Sequence, residues 1–174
     1  TFVGPWPTYA DSEYREQAYF EDTLDRLDVS LARSEKTGRP GRLHAGWAER
    51  AMDLPAGTPL AGYSARPNEK RSTGVHDPIH ARAVVLSDGA DTVALVGCDM
   101  LMTTLNIAQK VWARTNATTP LTPDDILFTT SHTHCGPGGF APGLLARYSA
   151  GAYDPAIEEE VAMSIADAII AAHE

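Results

Sequence analysis

The chain has 174 residues, and its 23 acidic against 14 basic side chains give a formal charge of −9. That excess excludes a phosphate-backbone binder, because non-specific nucleic-acid affinity comes from Lys and Arg neutralising phosphates, and it repels an anionic lipid surface as well. With 43% hydrophobic and 21% charged residues, the composition excludes a disordered chain. The length suffices for one domain burying roughly two thirds of its unfolded surface without disulfide or metal.

Residues 1–10 hold two prolines, three aromatics and a glycine, and read as an extended arm. From Asp11 to about Glu35, Tyr19, Phe20, Thr23, Leu24, Leu27 and Leu31 recur at helical spacing with charges between them, which predicts an amphipathic helix. Thr37, Gly38, Arg39, Pro40 and Gly41 stop it. Leu43, Ala45 and Trp47 then alternate with His44, Gly46 and Ala48, the two-residue period of a half-buried strand.

Between Pro55 and Pro78 the density of Pro and Gly excludes a continuous helix or strand and marks a long loop, of the kind that is functional or mobile. Ile79 to Leu86 and Thr92 to Cys98 read as strands joined by the turn Ser87-Asp88-Gly89-Ala90. Leu105, Ala108, Val111, Trp112 and Thr115 put one apolar stripe on a helix from about Thr103 to Thr115, and Ile126 to Thr130 is a further strand. Strand, helix and strand at these lengths predict a crossover, with Thr92–Cys98 and Ile126–Thr130 parallel. Ile157, Val161, Ile165, Ala168 and Ala172 mark a last helix from about Pro155, in a segment whose six acidic residues read as a solvated face. The fold class is therefore α/β: a partly parallel sheet with flanking helices, mixed strands at its edge and long Gly/Pro-rich loops forming the site.

The chemistry concentrates in Thr130-Ser131-His132-Thr133-His134-Cys135-Gly136-Pro137-Gly138-Gly139. In an extended strand, residues two apart share a face, so His132 and His134 are expected to project together as a metal-site pair. Ligands gather at the carboxyl ends of parallel strands, where these histidines fall, and Asp99 ends the neighbouring strand as a group able to orient an imidazole or ligate directly. Adjacent residues on a strand face opposite ways, so Cys135 is out of register with the two rings and is not read as a nucleophile. Cys98 reads as a small buried hydrophobe, and two cysteines are too few for a disulfide scaffold. His76, beside Gly74 in the loop, is a candidate substrate contact. His44 and His80 lie within strands, where burial with a hydrogen-bond partner is expected. No apolar run approaches the roughly 20 residues of a bilayer span, and the chain is expected to be soluble.

Taken together, Leu60-Ala61-Gly62-Tyr63, Gly74-Val75-His76-Asp77-Pro78, Ala81-Arg82-Ala83, the strand ending in Asp99, and Ser131-His132-Thr133-His134-Cys135-Gly136-Pro137-Gly138-Gly139 resemble the N-terminal catalytic region of the neutral, non-lysosomal ceramidases, and bacterial members most. The resemblance runs from about Leu43 to Glu174. It implies that residues 1–41 are an arm and helix, and that 42–174 are the N-terminal part of a ceramidase-like catalytic domain. It further implies a zinc-dependent amidohydrolase that cleaves the N-acyl bond of ceramide or a related compound with a zinc-bound water. Carried over residue by residue, it makes His132 a zinc ligand, has His134 hold the substrate or the developing oxyanion, and puts Gly62 and His76 on the same pocket. Where the family has Ser after His-Thr-His, this chain has Cys135.

The family's other zinc ligands, a histidine, a glutamate and a tyrosine, lie beyond the point corresponding to Glu174, so a downstream region or a second chain is implied to complete the site. A local set of His132, His134 and Asp99 with His76 can also be drawn. The resemblance implies an N-acyl lipid or other amide as substrate, and a secreted, periplasmic or cell-surface setting. The alternative is a non-catalytic ligand-binding or assembly module on the same fold.

Overall fold

Four strands whose residues alternate between small inward and larger outward side chains build one mixed sheet, with strand order following chain order. In the computed structural model, which describes residues 14–36, 41–63 and 71–174, these are β1 (His44–Ala51), β2 (His80–Ser87), β3 (Thr92–Cys98) and β4 (Ile126–Thr130). β1 pairs with β2 and β2 with β3 antiparallel, while β3 and β4 run parallel with Ala94 opposite Ile126 and Cys98 opposite Thr130. The helix that makes the parallel return possible is α2 (Leu105–Asn116), started by the Thr104 side chain accepting from the Ile107 N–H. The β2–β3 turn is fixed by Asp88, whose carboxylate accepts from the N–H groups of Ala90 and Asp91.

Two compact units are present, residues 1–41 and 42–174. In the first, a 3-10 turn over Tyr14–Glu16 precedes α1 (Ala18–Lys36). The sequence reading started this helix at Asp11; that residue, the expected arm and the stop at Thr37 to Pro40 lie outside the described residues.

In the second unit the core forms between the sheet and α4 (Pro155–His173), which packs on β1 and β2 and lies beside α2. Asp154 caps α4 by accepting from the Ala156 N–H, and Pro155 occupies the first turn, where its missing N–H costs nothing. α4 buries Ile157, Val161, Ile165 and Ile169 against Ala81, Ala83, Val85, Ala94 and Val96. Each fully buried Ile or Val stabilises by roughly 1.5–3 kcal/mol.

Three sequence expectations need correction here. On β1 the inward residues are Gly46 and Ala48, not Leu43 and Trp47, which are 67% and 78% exposed. The reason is steric: a Cβ built on Gly46 would stand 2.0 Å from the carbonyl oxygen of Ala172, so α4 comes too close for any side chain. His44, on the opposite face from Trp47, is exposed rather than buried because it lies at the sheet's edge beyond that contact. The acidic face of the last helix is only partly solvated. Glu158 is 2% exposed and accepts from the Tyr153 hydroxyl, while Glu159 and Asp167 pair with Lys110 and Arg114 of α2. A seven-residue helix, α3 (Leu144–Ala150), was not foreseen, since it is too short to show a period and follows Pro142 and Gly143.

Candidate functional site

Past the end of β4 the chain carries the histidines out of the sheet. His132 sits in the left-handed region at φ 55, so the segment is no longer extended and strand alternation is not what aligns the two rings. Tertiary contacts do it instead. The Nδ1 of His132 lies 2.9 Å from the carbonyl oxygen of Leu101, in the segment between β3 and α2. A carbonyl only accepts, so Nδ1 carries the proton and Nε2 presents its lone pair. The ring of His134 stands 5.3 Å from that of His132, centroid to centroid, at 59°.

His134 is held by the loop that follows β1. Gly62 adopts φ +81, and a Cβ there would meet Cγ of the His134 ring at 2.4 Å, so only glycine lets the ring lie flat against the backbone. Tyr63, also left-handed at φ 42, sets its ring edge on His134 with centroids 4.6 Å apart. A bulky residue at positive φ costs on the order of 1–3 kcal/mol and persists where its surroundings over-determine it, commonly at functional sites. The loop is tied to the His-Thr-His segment by the Ala61 N–H donating to Gly136 O and the Gly138 N–H donating to Pro59 O.

Beside the rings opens a cleft of 1040 Å³. Its walls include Met52, Leu54, Val75, Ile79 and Pro137, and its polar lining includes His76, Asp99, Ser131, Thr133 and Cys135. The sequence-predicted residues therefore fall into two groups. His132, His134 and Gly62 are clustered, whereas His76 and Asp99 line the cleft with Thr133 and Cys135. His76 is almost fully exposed and pairs with Asp77 at 2.8 Å. Asp99 is engaged by Arg82 at 2.9 Å and by the His80 N–H at 3.1 Å. Partial burial works to raise its pKa, but the hydrogen bonds from Arg82 and the His80 N–H, with the charge of Arg82, outweigh it and hold the carboxyl below its ordinary range. Cys98 is buried and its thiol is pushed up to about 12 by desolvation first and the nearby Asp99 charge second. Cys135 is exposed, and the two thiols are free.

The family profile for the N-terminal region of neutral/alkaline non-lysosomal ceramidases matches residues 54–174. The chain belongs to that family. Two solved structures share its fold: neutral ceramidase from Pseudomonas aeruginosa, 24% identical over 78% of this chain with TM-score 0.69, and a ceramidase complexed with C2, 25% identical over 76% with TM-score 0.69. The match spans 22% and 21% of those two chains, so this sequence corresponds to about a fifth of their length. No curated protein matches the sequence.

Within the ceramidase-like site, sequence reasoning missed Leu101, Tyr63 and Arg82 as partners of His132, His134 and Asp99. Leu101 acts through a backbone carbonyl, which no residue type advertises. Tyr63 was visible only as the neighbour of Gly62, and Arg82 as one residue of the Ala81-Arg82-Ala83 motif. Among the described residues, no group of three or more His, Cys, Asp or Glu side chains is arranged to hold a metal ion. His132, His134 and Asp99 thus do not form a local cage.

Proposed function

We propose that this chain supplies part of the site of a zinc-dependent amidohydrolase, which cleaves the N-acyl amide bond of ceramide or a related N-acyl compound. Family membership supports a ceramidase-like hydrolase. The observation that carries the metal reading is the His132–Leu101 contact. It fixes the tautomer whose exposed Nε2 can ligate, in the arrangement by which metal-bound histidines are oriented through their second nitrogen. Zinc, when bound, would lower the pKa of water to about 7 and polarise a carbonyl. The chain's own residues do the rest. His134, steadied by Gly62 and Tyr63, donates to the carbonyl oxygen as negative charge develops there. His76 contacts substrate from the cleft rim, and the apolar walls take an alkyl chain.

One imidazole does not complete a zinc site, so the remaining donors come from a downstream region or a partner chain. The outward face of the sheet supports such a layer: Trp47, Val84, Leu95 and Leu127 stand in one row across four strands and are between 40% and 78% exposed. The test is zinc content and hydrolysis of an N-acyl amide by the full-length protein. Stoichiometric zinc and turnover are expected, both lost in His132→Ala with the fold retained. Zinc retention unchanged by that substitution, or turnover without any metal, would overturn the reading.

A further inference from the structure

Asp99 is bound through one oxygen only. Its Oδ2 accepts both from Arg82 Nη1 and from the His80 N–H, while Oδ1 accepts from nothing among the described residues. Arg82 is itself fixed, with Nη2 3.0 Å from His80 Nδ1 and Nε 3.4 Å from Glu49 Oε2. A guanidinium only donates, so His80 Nδ1 is the acceptor in that contact, and the carboxylate of Asp99 cannot swing without breaking two bonds at once. Its side chain keeps 29% of its surface open and lines the cleft. A carboxylate has about four acceptor positions, and an ionised acceptor bonds roughly twice as strongly as a neutral one.

We infer that Asp99 Oδ1 is a fixed acceptor that determines ligand choice in the cleft, by binding a hydroxyl or amine hydrogen carried beside the amide of an N-acyl ligand. The identity of the ligand rests on the amidohydrolase reading; the acceptor's geometry does not. Arg82 is the positioning residue that aims it.

The experiment compares two probes in the full-length protein by calorimetric titration: an N-octanoyl amino alcohol and its O-methyl ether, which differ in one donor hydrogen. The alcohol is expected to bind on the order of 10-fold tighter. In Asp99→Asn the side-chain oxygen must face the two donors, Arg82 and the His80 N–H, which turns the NH₂ group into the cleft. A donor there serves alcohol and ether alike, so the preference should fall to about 1. A merely structural Asp99 would lower stability and leave the ratio unchanged. Equal binding of the two probes by the unmodified protein, a result that needs no variant to fold, overturns the inference, as does a ratio that survives Asp99→Asn. His132→Ala should keep the preference. Preference without turnover in the zinc-loaded protein would sink the amidohydrolase reading and uphold this one.

Discussion

The inward face of the sheet presents Ala81, Ala83, Val85, Ala94, Val96 and Cys98 to a helix of the same chain, whereas the outward face of the same strands presents Trp47, Val84, Leu95 and Leu127, which are between 40% and 78% exposed. Small residues inside let α4 approach to backbone contact; large ones outside suit a second layer. At the carboxyl end of β3 and β4 the outward face turns polar, with Glu49, Arg82 and Asp99, and runs into the cleft. One face is covered by a helix of the same chain, and the other leaves large apolar side chains exposed.

The largest test of this contrast is on the finished side. Ile165→Ala should cost about 2 to 5 kcal/mol in chemical denaturation, because the residue is fully buried and the tight layer cannot collapse around the cavity. Gly46→Ala should cost about 3 kcal/mol, since the added carbon meets the backbone oxygen of Ala172, which cannot move aside without shifting α4. At the site, Gly62→Ala should displace the His134 ring and cut turnover on the order of 100-fold, with a much smaller change in the unfolding midpoint than Gly46→Ala.

The thiols divide in the same way. Cys135 should alkylate readily in the folded protein at pH 8 while Cys98 is protected until unfolding. Because folding raises the Cys98 pKa from its ordinary 9.0 to about 12, its contribution to stability is fully present below pH 9 and is lost as pH rises from there towards 12, the reduced unfolded state releasing its proton first. The Cys98→Ala variant should lack that alkaline loss. Smallest of all, Trp47→Ser should change the stability of this chain alone by only about 0.5 kcal/mol. A cost several times larger would mean that the outward face is already covered and would break the comparison.

Much of the fold could be read in advance, for a local reason. β3, β4 and α4 announce themselves by period and by turn residues within each segment, and the β3–α2–β4 order forces the parallel pair. The pairing of His132 with His134 was also anticipated, though for a strand geometry that His132 at φ 55 does not have. α3 escaped because seven residues hold too little period. The placing of Asp99 and His76 on the cleft wall escaped because it depends on contacts between segments far apart in the chain, such as the Ala61 N–H donating to Gly136 O.

By itself the sequence determined every strand and the longer helices, the parallel return and the motif that places the chain in its family, since these follow from residue types at fixed short spacings. Tertiary structure alone decided which face of β1 turns inward, which backbone oxygen orients His132, and which oxygen of Asp99 stays open. Those outcomes depend on close approach between segments distant in the chain, where a single carbonyl or a missing Cβ selects one arrangement, and neither of these leaves a mark in the order of side chains.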